Sequence, residues 1–336
     1  MAFEKRPTIT DVARAAGVSI TTVSKVINNT DEHIRSETRE KVHQAIIDLG
    51  YIPTTLSKGL KIKYTKTIGF IIPDIGIPFF HSIAGGAGDT ASKSGYSVIY
   101  SNTDGNDFQE KRCIEMFRTK MVDGFIYISS HNEENEQLIR SCNKPTVVLD
   151  RNFLTENDRH MGSILINNYH AACDATELLV QRGCRRPAYV ASSIAYSPGK
   201  DRFQGFVDTL KSHGIDFVKS RLYVGNFSAE TGFSAAMNLM EQDRDIDSFF
   251  CENDLEAFGV LNALHRLGFS VPGQIKVMGF DDIYISKFFN PELSTVRQPT
   301  RLIGSYAAKM LIDFLEKGDP LGHIIMPHEV IIRKTV

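Results

Sequence analysis

Between residues 67 and 279 the chain alternates short apolar runs with helical stretches, and few folds accommodate that alternation. Strands are expected over 67–72, 97–101, 124–128 and 146–149, separated by helices over 79–93 and 107–120 and by a further short one. A second series opens with a strand at 163–166. It continues through helix 169–182, strand 187–191, helix 202–213, strand 222–224, helix 229–240, strand 248–251, helix 255–267 and strand 275–279. Strands this short and this continuously apolar are buried on both faces, which implies parallel sheets with helices on each side. Two similar series predict an α/β body of two doubly wound lobes.

Open parallel sheets bind ligands beyond the C-terminal ends of their strands. Here those ends are polar: Asp74, Asn102 with Asp104, Asp150 with Arg151, Asn167 with Asn168, Asn253 with Asp254, and Asp281 with Asp282. Carboxylates and amides converging on a cleft between lobes suit sugar hydroxyls or nucleobase edges. Phe79, Phe80 and Phe227 are candidates for its stacking walls. The competing reading is local, because Asp and Asn also follow strands to cap the next helix and to form turns.

Charge separates this body from what precedes it. The 336 residues sum to a net charge of -2, which taken whole predicts no nucleic-acid partner. Residues 1–63 hold ten Lys/Arg against seven Asp/Glu, a net of +3 that leaves -5 for the remainder. No apolar run reaches the ~18 residues of a membrane helix, and no apolar core follows the initial charges as in a secretory signal. The five cysteines are scattered without a C-x-x-C pair, which fits reduced thiols in a cytoplasm.

The basic head reads as three short helices. Thr10 is placed to cap a helix beginning at Asp11, and Gly17 supplies a tight turn. Ser19 caps a second helix whose inner face carries Val23, Val26 and Ile27. After Ser36, the stripe Val42, Ala45, Ile46 and Leu49 predicts a third helix, ended by Gly50. Helix, tight turn, helix is the unit whose second helix enters the major groove. The outer face of that helix offers Ser19, Ile20, Thr21, Thr22, Ser24 and Lys25, none acidic. Hydroxyls and lysine bond phosphates, lysine also bonds guanine edges, and Ile20 is placed to meet a thymine methyl. A small packing module with a polar face fits the same pattern.

These residues carry a resemblance. Thr8 to Ala13, Ala16 to Ser19, Thr22 to Asn28, Thr38-Arg39 and Leu49 to Pro53 closely resemble the lactose-repressor (LacI/GalR) family of transcription regulators. The resemblance implies that Ile20, Thr21 and Lys25 face base edges and that Ser19, Thr22, Ser24 and Asn28 hold phosphates. The segment from Asn28 to Thr38 is one residue longer than in familiar members. Residues 53–63 correspond to the family's hinge helix, which pairs across a dimer in the minor groove. There Leu60 is the expected wedge between base steps, and Thr54, Ser57 and Lys58 are further DNA contacts. Ser57, Lys58 and Thr54 stand where Ala, Arg and Asn or Ser are usual. A helix this short, with Gly59 inside it, is marginal alone, so a plain tether is the alternative.

The resemblance extends over the body, through Val122-Asp123-Gly124, Asp201 to Phe206, Asn253-Asp254, Gly279 to Asp282 and Thr295 to Pro299. It implies a periplasmic-binding-protein-like effector domain. Phe79, Phe80, Arg202, Phe227, Asn253 and Asp281 match effector contacts, and the polar strand ends add Asp74 and Arg151. The expected organisation is a helix-turn-helix head over 1–52, a hinge over 53–63 and a two-lobed effector and dimerisation body over 64–336. No leucine heptad follows the strand-like 329–332, so a homodimer on a pseudo-palindromic operator is expected.

Catalytic patterns do not hold together. Gly86 to Ala91 spells G-x-G-x-x-A but falls inside a predicted helix, well past its strand. Ser197 to Lys200 spells S-x-x-K without companion motifs. No Walker loop, zinc motif or nucleophile elbow is present, and no metal or cofactor is expected. The sequence thus predicts a cytoplasmic DNA-binding regulator, most simply a repressor, governed by a small molecule. A sugar or sugar derivative is the first choice of effector; a purine or a phosphoprotein corepressor fits the same body. A sugar-binding protein or an enzyme without a DNA role are the rival classes.

Overall fold

The computed structural model describes residues 7–31, 33–51, 65–151, 153–154, 160–194 and 197–336. The chain divides into two compact units, Met1–Thr65 and Lys66–Val336.

The head comprises α1 (Ile9–Ala16), α2 (Ile20–Asn28) and α3 (Ser36–Leu49). The first helix starts two residues earlier than expected, with Thr8 rather than Thr10 as its cap. The reason is Asp11: its carboxylate reaches back to the Thr8 N–H at 2.9 Å and the Thr8 hydroxyl at 2.7 Å. Gly17 turns the chain at φ 67°, and Ser19 caps α2 by accepting the Thr22 N–H at 3.1 Å. Val12, Ala13, Val23, Val26, Val42, Ala45 and Tyr51 form the buried core. Leu49, expected inside, is exposed.

The body holds two six-stranded sheets. The first runs β11-β5-β4-β3-β1-β2 and is wholly parallel. Its strands are β1 (Thr67–Ile72), β2 (Ser97–Asn102), β3 (Gly124–Tyr127), β4 (Thr146–Leu149), β5 (Met161–Ile166) and β11 (His323–Met326). The second runs β12-β10-β9-β8-β6-β7. It contains β6 (Pro187–Ala191), β7 (Leu222–Val224), β8 (Ser248–Cys251), β9 (Lys276–Asp281), β10 (Ser294–Arg297) and an antiparallel edge strand, β12 (Glu329–Ile331).

The expected break between lobes before residue 163 is therefore misplaced. β5 pairs with β4 from Thr146↔Met161 to Leu149↔Ile164 and belongs to the first sheet. The chain changes lobe at Asn167, and α7 (Asn168–Gln181) packs on α8 (Gly199–Ser212) of the second lobe. It crosses back between β10 and α11 (Thr300–Lys317), which packs on α4 (Pro78–Lys93), and crosses again between β11 and β12. Apolar pattern alone does not assign a doubly buried strand to one sheet or the other.

The α4–α11 contact also explains the misleading glycine pattern. A Cβ on Gly86 would lie 2.0 Å from the Arg301 carbonyl oxygen, and one on Gly304 would lie 1.9 Å from that of Ile83. These glycines let two helices approach.

Candidate functional site

The strand ends of the two sheets meet at a cleft lined by Ile77, Pro78, Phe79, Phe80, Asp150, Arg151, Pro198, Arg202, Phe227, Asn253, Leu255, Asp281 and Ile283. The empty volume among these residues is about 470 Å³, part of it open to solvent.

The first lobe contributes an aromatic wall and one cation. Phe79 and Phe80 open α4 and meet edge to face with centroids 5.1 Å apart. The loop before them is shaped by polar groups: Asp74 accepts the Gly76 N–H at 2.8 Å, and Asn102 accepts the Ile75 N–H at 2.8 Å. Asp74 is thus a turn-former and does not line the cleft. Asp150 sits at φ 62°, a left-handed conformation that Asp tolerates better than most residues. Arg151 follows it and donates to the Ser129 carbonyl at 2.6 Å, and its guanidinium lies 3.7 Å from Asp150.

The second lobe contributes a buried polar network. Arg202, on α8, is 3% exposed. Its Nε donates to Asn168 Oδ1 at 2.8 Å, its Nη1 donates to the Glu252 carbonyl at 2.7 Å, and its plane lies 3.8 Å from the Phe280 ring. Asn253 caps α10 (Asp254–Arg266) through the Glu256 N–H at 2.9 Å. Asp281 accepts from Gln298 Nε2 at 2.7 Å and stands at φ 114°, outside the ordinary left-handed well. Strain of that kind is kept where surrounding structure enforces it, often at ligand clamps. Burial pushes the Asp281 carboxyl well above the usual carboxylate range, although Arg202 pulls the other way. Behind the wall, burial likewise raises Glu252 and Glu256.

The six polar strand ends therefore do not all converge. Asp150, Arg151, Asn253 and Asp281 line the cleft. Asn167 caps α7 by accepting the His170 N–H, Asn168 holds Arg202, and Asp282 pairs with Arg297 and Arg333. Asp254 is a structural clamp that accepts from the Ile283 N–H, Ser286 and Thr295, and burial pushes it up to about 7. The liners not anticipated are apolar: Ile77, Pro78, Pro198, Leu255 and Ile283. Most adjoin residues that were anticipated, which is the signal that would have found them.

In the head, Ser19, Ile20, Thr21, Lys25 and Asn28 are exposed on or beside α2, while Thr22 and Ser24 are half-buried. Asn28 donates to the Ser24 carbonyl at 2.7 Å, so these two are presented together. Lys25 is paired with Asp31 at 2.9 Å, a partner the helix pattern did not indicate. Thr54, Ser57, Lys58 and Leu60 lie outside the described residues. Among the described residues no group of three or more His, Cys, Asp or Glu is placed to hold a metal ion, and no helix is long and apolar enough to cross a membrane.

A three-helix head with a polar second helix, followed by a two-lobed body whose cleft mixes aromatic, aliphatic and charged groups, defines a helix-turn-helix regulator with a periplasmic-binding-protein-like body. The lacI family of bacterial regulatory proteins matches residues 8–54, and a periplasmic binding protein-like domain matches residues 176–336. The chain is 37% identical over 331 residues to the HTH-type transcriptional regulator RegA of Clostridium acetobutylicum, across 97% of this chain and 98% of the relative. It is 31% identical over 332 residues to the HTH-type transcriptional repressor PurR of Mannheimia succiniciproducens, across 98% of each. The structure of the Lac repressor dimer bound to operator and the anti-inducer ONPF matches with a TM-score of 0.86 at 26% identity, across 98% of this chain and 99% of that one. The chain belongs to the lacI family and is a DNA-binding transcription regulator; these relatives are regulators and not enzymes.

Proposed function

We propose that this regulator is a cytoplasmic, homodimeric repressor whose operator affinity is set by a sugar or sugar derivative bound between the lobes. The observation that carries the reading is convergence. Phe79, Phe80, Arg151, Arg202, Phe227, Asn253 and Asp281 come from separate stretches of sequence and line one cleft. Two guanidiniums and two carboxyl groups sit there, with an amide and aromatic faces beside them, a mixture suited to a polyol. The head over 1–52 reads a half-site through α2, with Ile20, Thr21 and Lys25 toward base edges and Ser19, Thr22, Ser24 and Asn28 on phosphates. Residues 53–63, with Thr54, Ser57, Lys58 and Leu60, act as the hinge in the minor groove of a pseudo-palindromic operator.

The mechanism is linkage. The cleft is lined from both lobes, so effector binding is coupled to their relative movement. Lobe movement alters the spacing of the paired hinges, so effector and DNA affinities change reciprocally. A purine is the second reading, favoured by the relative named PurR. A thermal-shift screen of carbohydrates against nucleobases separates the two, since a ligand that binds only the folded protein raises Tm with its concentration. Gel shifts with duplexes selected from a random pool test the DNA role: absence of salt-dependent, sequence-selective binding would overturn it.

A further inference from the structure

We propose that Asp31 is a specificity-determining residue of the head, holding Lys25 in an ion pair from which a base edge presenting two acceptors in fixed geometry draws it more readily than a phosphate does. The proposal rests on the reading of α2 as the DNA-facing helix. Lys25 is the single cation in that helix, Ile-Thr-Thr-Val-Ser-Lys-Val-Ile-Asn. Its Nζ lies 2.9 Å from Asp31 Oδ2, with side-chain exposures of 49% for the lysine and 23% for the aspartate.

Asp31 is a fixed partner. Its Oδ1 accepts the His33 N–H at 3.0 Å. Its carbonyl accepts from Arg39 Nη2 of α3. The same guanidinium donates through Nη1 to Asn29 Oδ1 at 2.9 Å and through Nε to the Ile34 carbonyl at 3.4 Å. One arginine therefore pins both sides of the turn that presents the carboxylate.

The consequence follows from lysine chemistry. A lysine is a compact charge on a flexible stem and ordinarily takes any phosphate within reach. Phosphate neutralisation supplies nearly all non-specific affinity. With Asp31 in place, moving Lys25 to a phosphate exchanges one anion for another and leaves a carboxylate unpaired near the duplex. Moving to a guanine edge breaks the same pair, but there O6 and N7 accept together in fixed geometry, whereas a phosphate met in an arbitrary register offers one loosely held oxygen. Asp31 thus suppresses binding to arbitrary sequence more than binding to the preferred one.

The test uses the full-length protein, a preferred duplex selected from a random-sequence pool, and a scrambled duplex of equal length, each titrated over a range of KCl. Asp31→Asn keeps an oxygen for the His33 N–H but frees Lys25. Affinity for scrambled DNA is expected to rise roughly two- to five-fold per head, the scale of an exposed ion pair. The salt slope is expected to steepen by about 0.9 per head, one extra phosphate contact. The preferred duplex gains less, so selectivity falls. Asp31→Ser, whose hydroxyl also accepts the turn N–H, should reproduce this if the asparagine variant folds poorly. In the Lys25→Ala/Asp31→Asn double variant the gain should vanish. Unchanged scrambled affinity and slope in both Asp31 variants would overturn the proposal, as would a gain that persists without Lys25. If Lys25→Ala leaves binding to both duplexes unaltered, the DNA-facing reading of α2 fails instead.

Discussion

The outer face of α2 and the cleft between the lobes are built on opposite terms. On α2, the groups offered outward are separate from the core beneath, where Val23 and Val26 do the packing. In the cleft, the polar groups that line it also hold the second lobe together: Arg202 stacks on Phe280 and joins α8 to α7 and to the residue after β8, and Asn253 caps α10. On the proposed reading, function and stability are separable in the head and fused in the body. A head of this kind can change its DNA sequence by surface substitution. A sensor of this kind changes its ligand only at a cost to folding.

The largest expected effect tests the fused half. Arg202→Ala strands Asn168 Oδ1, the Glu252 carbonyl and a buried carboxylate, and should destabilise the body by roughly 3–5 kcal/mol in urea unfolding. The same variant should lose any effector-induced rise in Tm. Intact stability with lost effector response would show the two roles to be separable after all. Second comes pH. Asp254 is raised from 3.8 to about 7 by burial, so the folded protein binds its proton more tightly than the unfolded chain does. Its contribution to stability is fully present below about pH 4 and is lost as pH rises through 7. The Tm should fall over that window, and Asp254→Asn should flatten part of the slope.

The head should behave otherwise. Replacing Thr21 or Lys25 by Ala should relax base choice by about 1–3 kcal/mol per position in competition binding. Thermal stability should stay within about 0.5 kcal/mol. A cooperative loss of folding in either variant would break the contrast between the two sites. Smallest of all, Ser24→Ala should weaken binding to preferred and scrambled duplexes alike, with little change in their ratio.

Much of this was legible in the sequence because it is local or periodic. Helix spacing, Gly17 at its turn and Ser19 at its cap are properties of neighbours in the chain, as are the short apolar strands. The cleft residues were legible in part because polar groups at strand ends are conspicuous. Their sorting was not. Asp74 and Asn102 resemble Asp150 and Asp281 in sequence, yet the first two shape a turn and the last two line the cleft. A carboxylate that follows a strand has the same local chemistry whether it caps, clamps or binds.

The sequence by itself determined the elements from α1 to β9, the division between a basic head and an acidic body, and most of the faces of the head helices, because these follow from local composition and spacing; β10, α11 and β11 were not anticipated, and Leu49 turned outward. Tertiary structure alone decided that β5 joins the first sheet, that Gly86 admits α11, and that Asp254 is a clamp while Asp281 faces the cleft. It alone placed Asp31 on Lys25 through the turn pinned by Arg39. Those outcomes depend on which distant groups arrive within hydrogen-bonding reach, and periodicity along a chain carries no record of that.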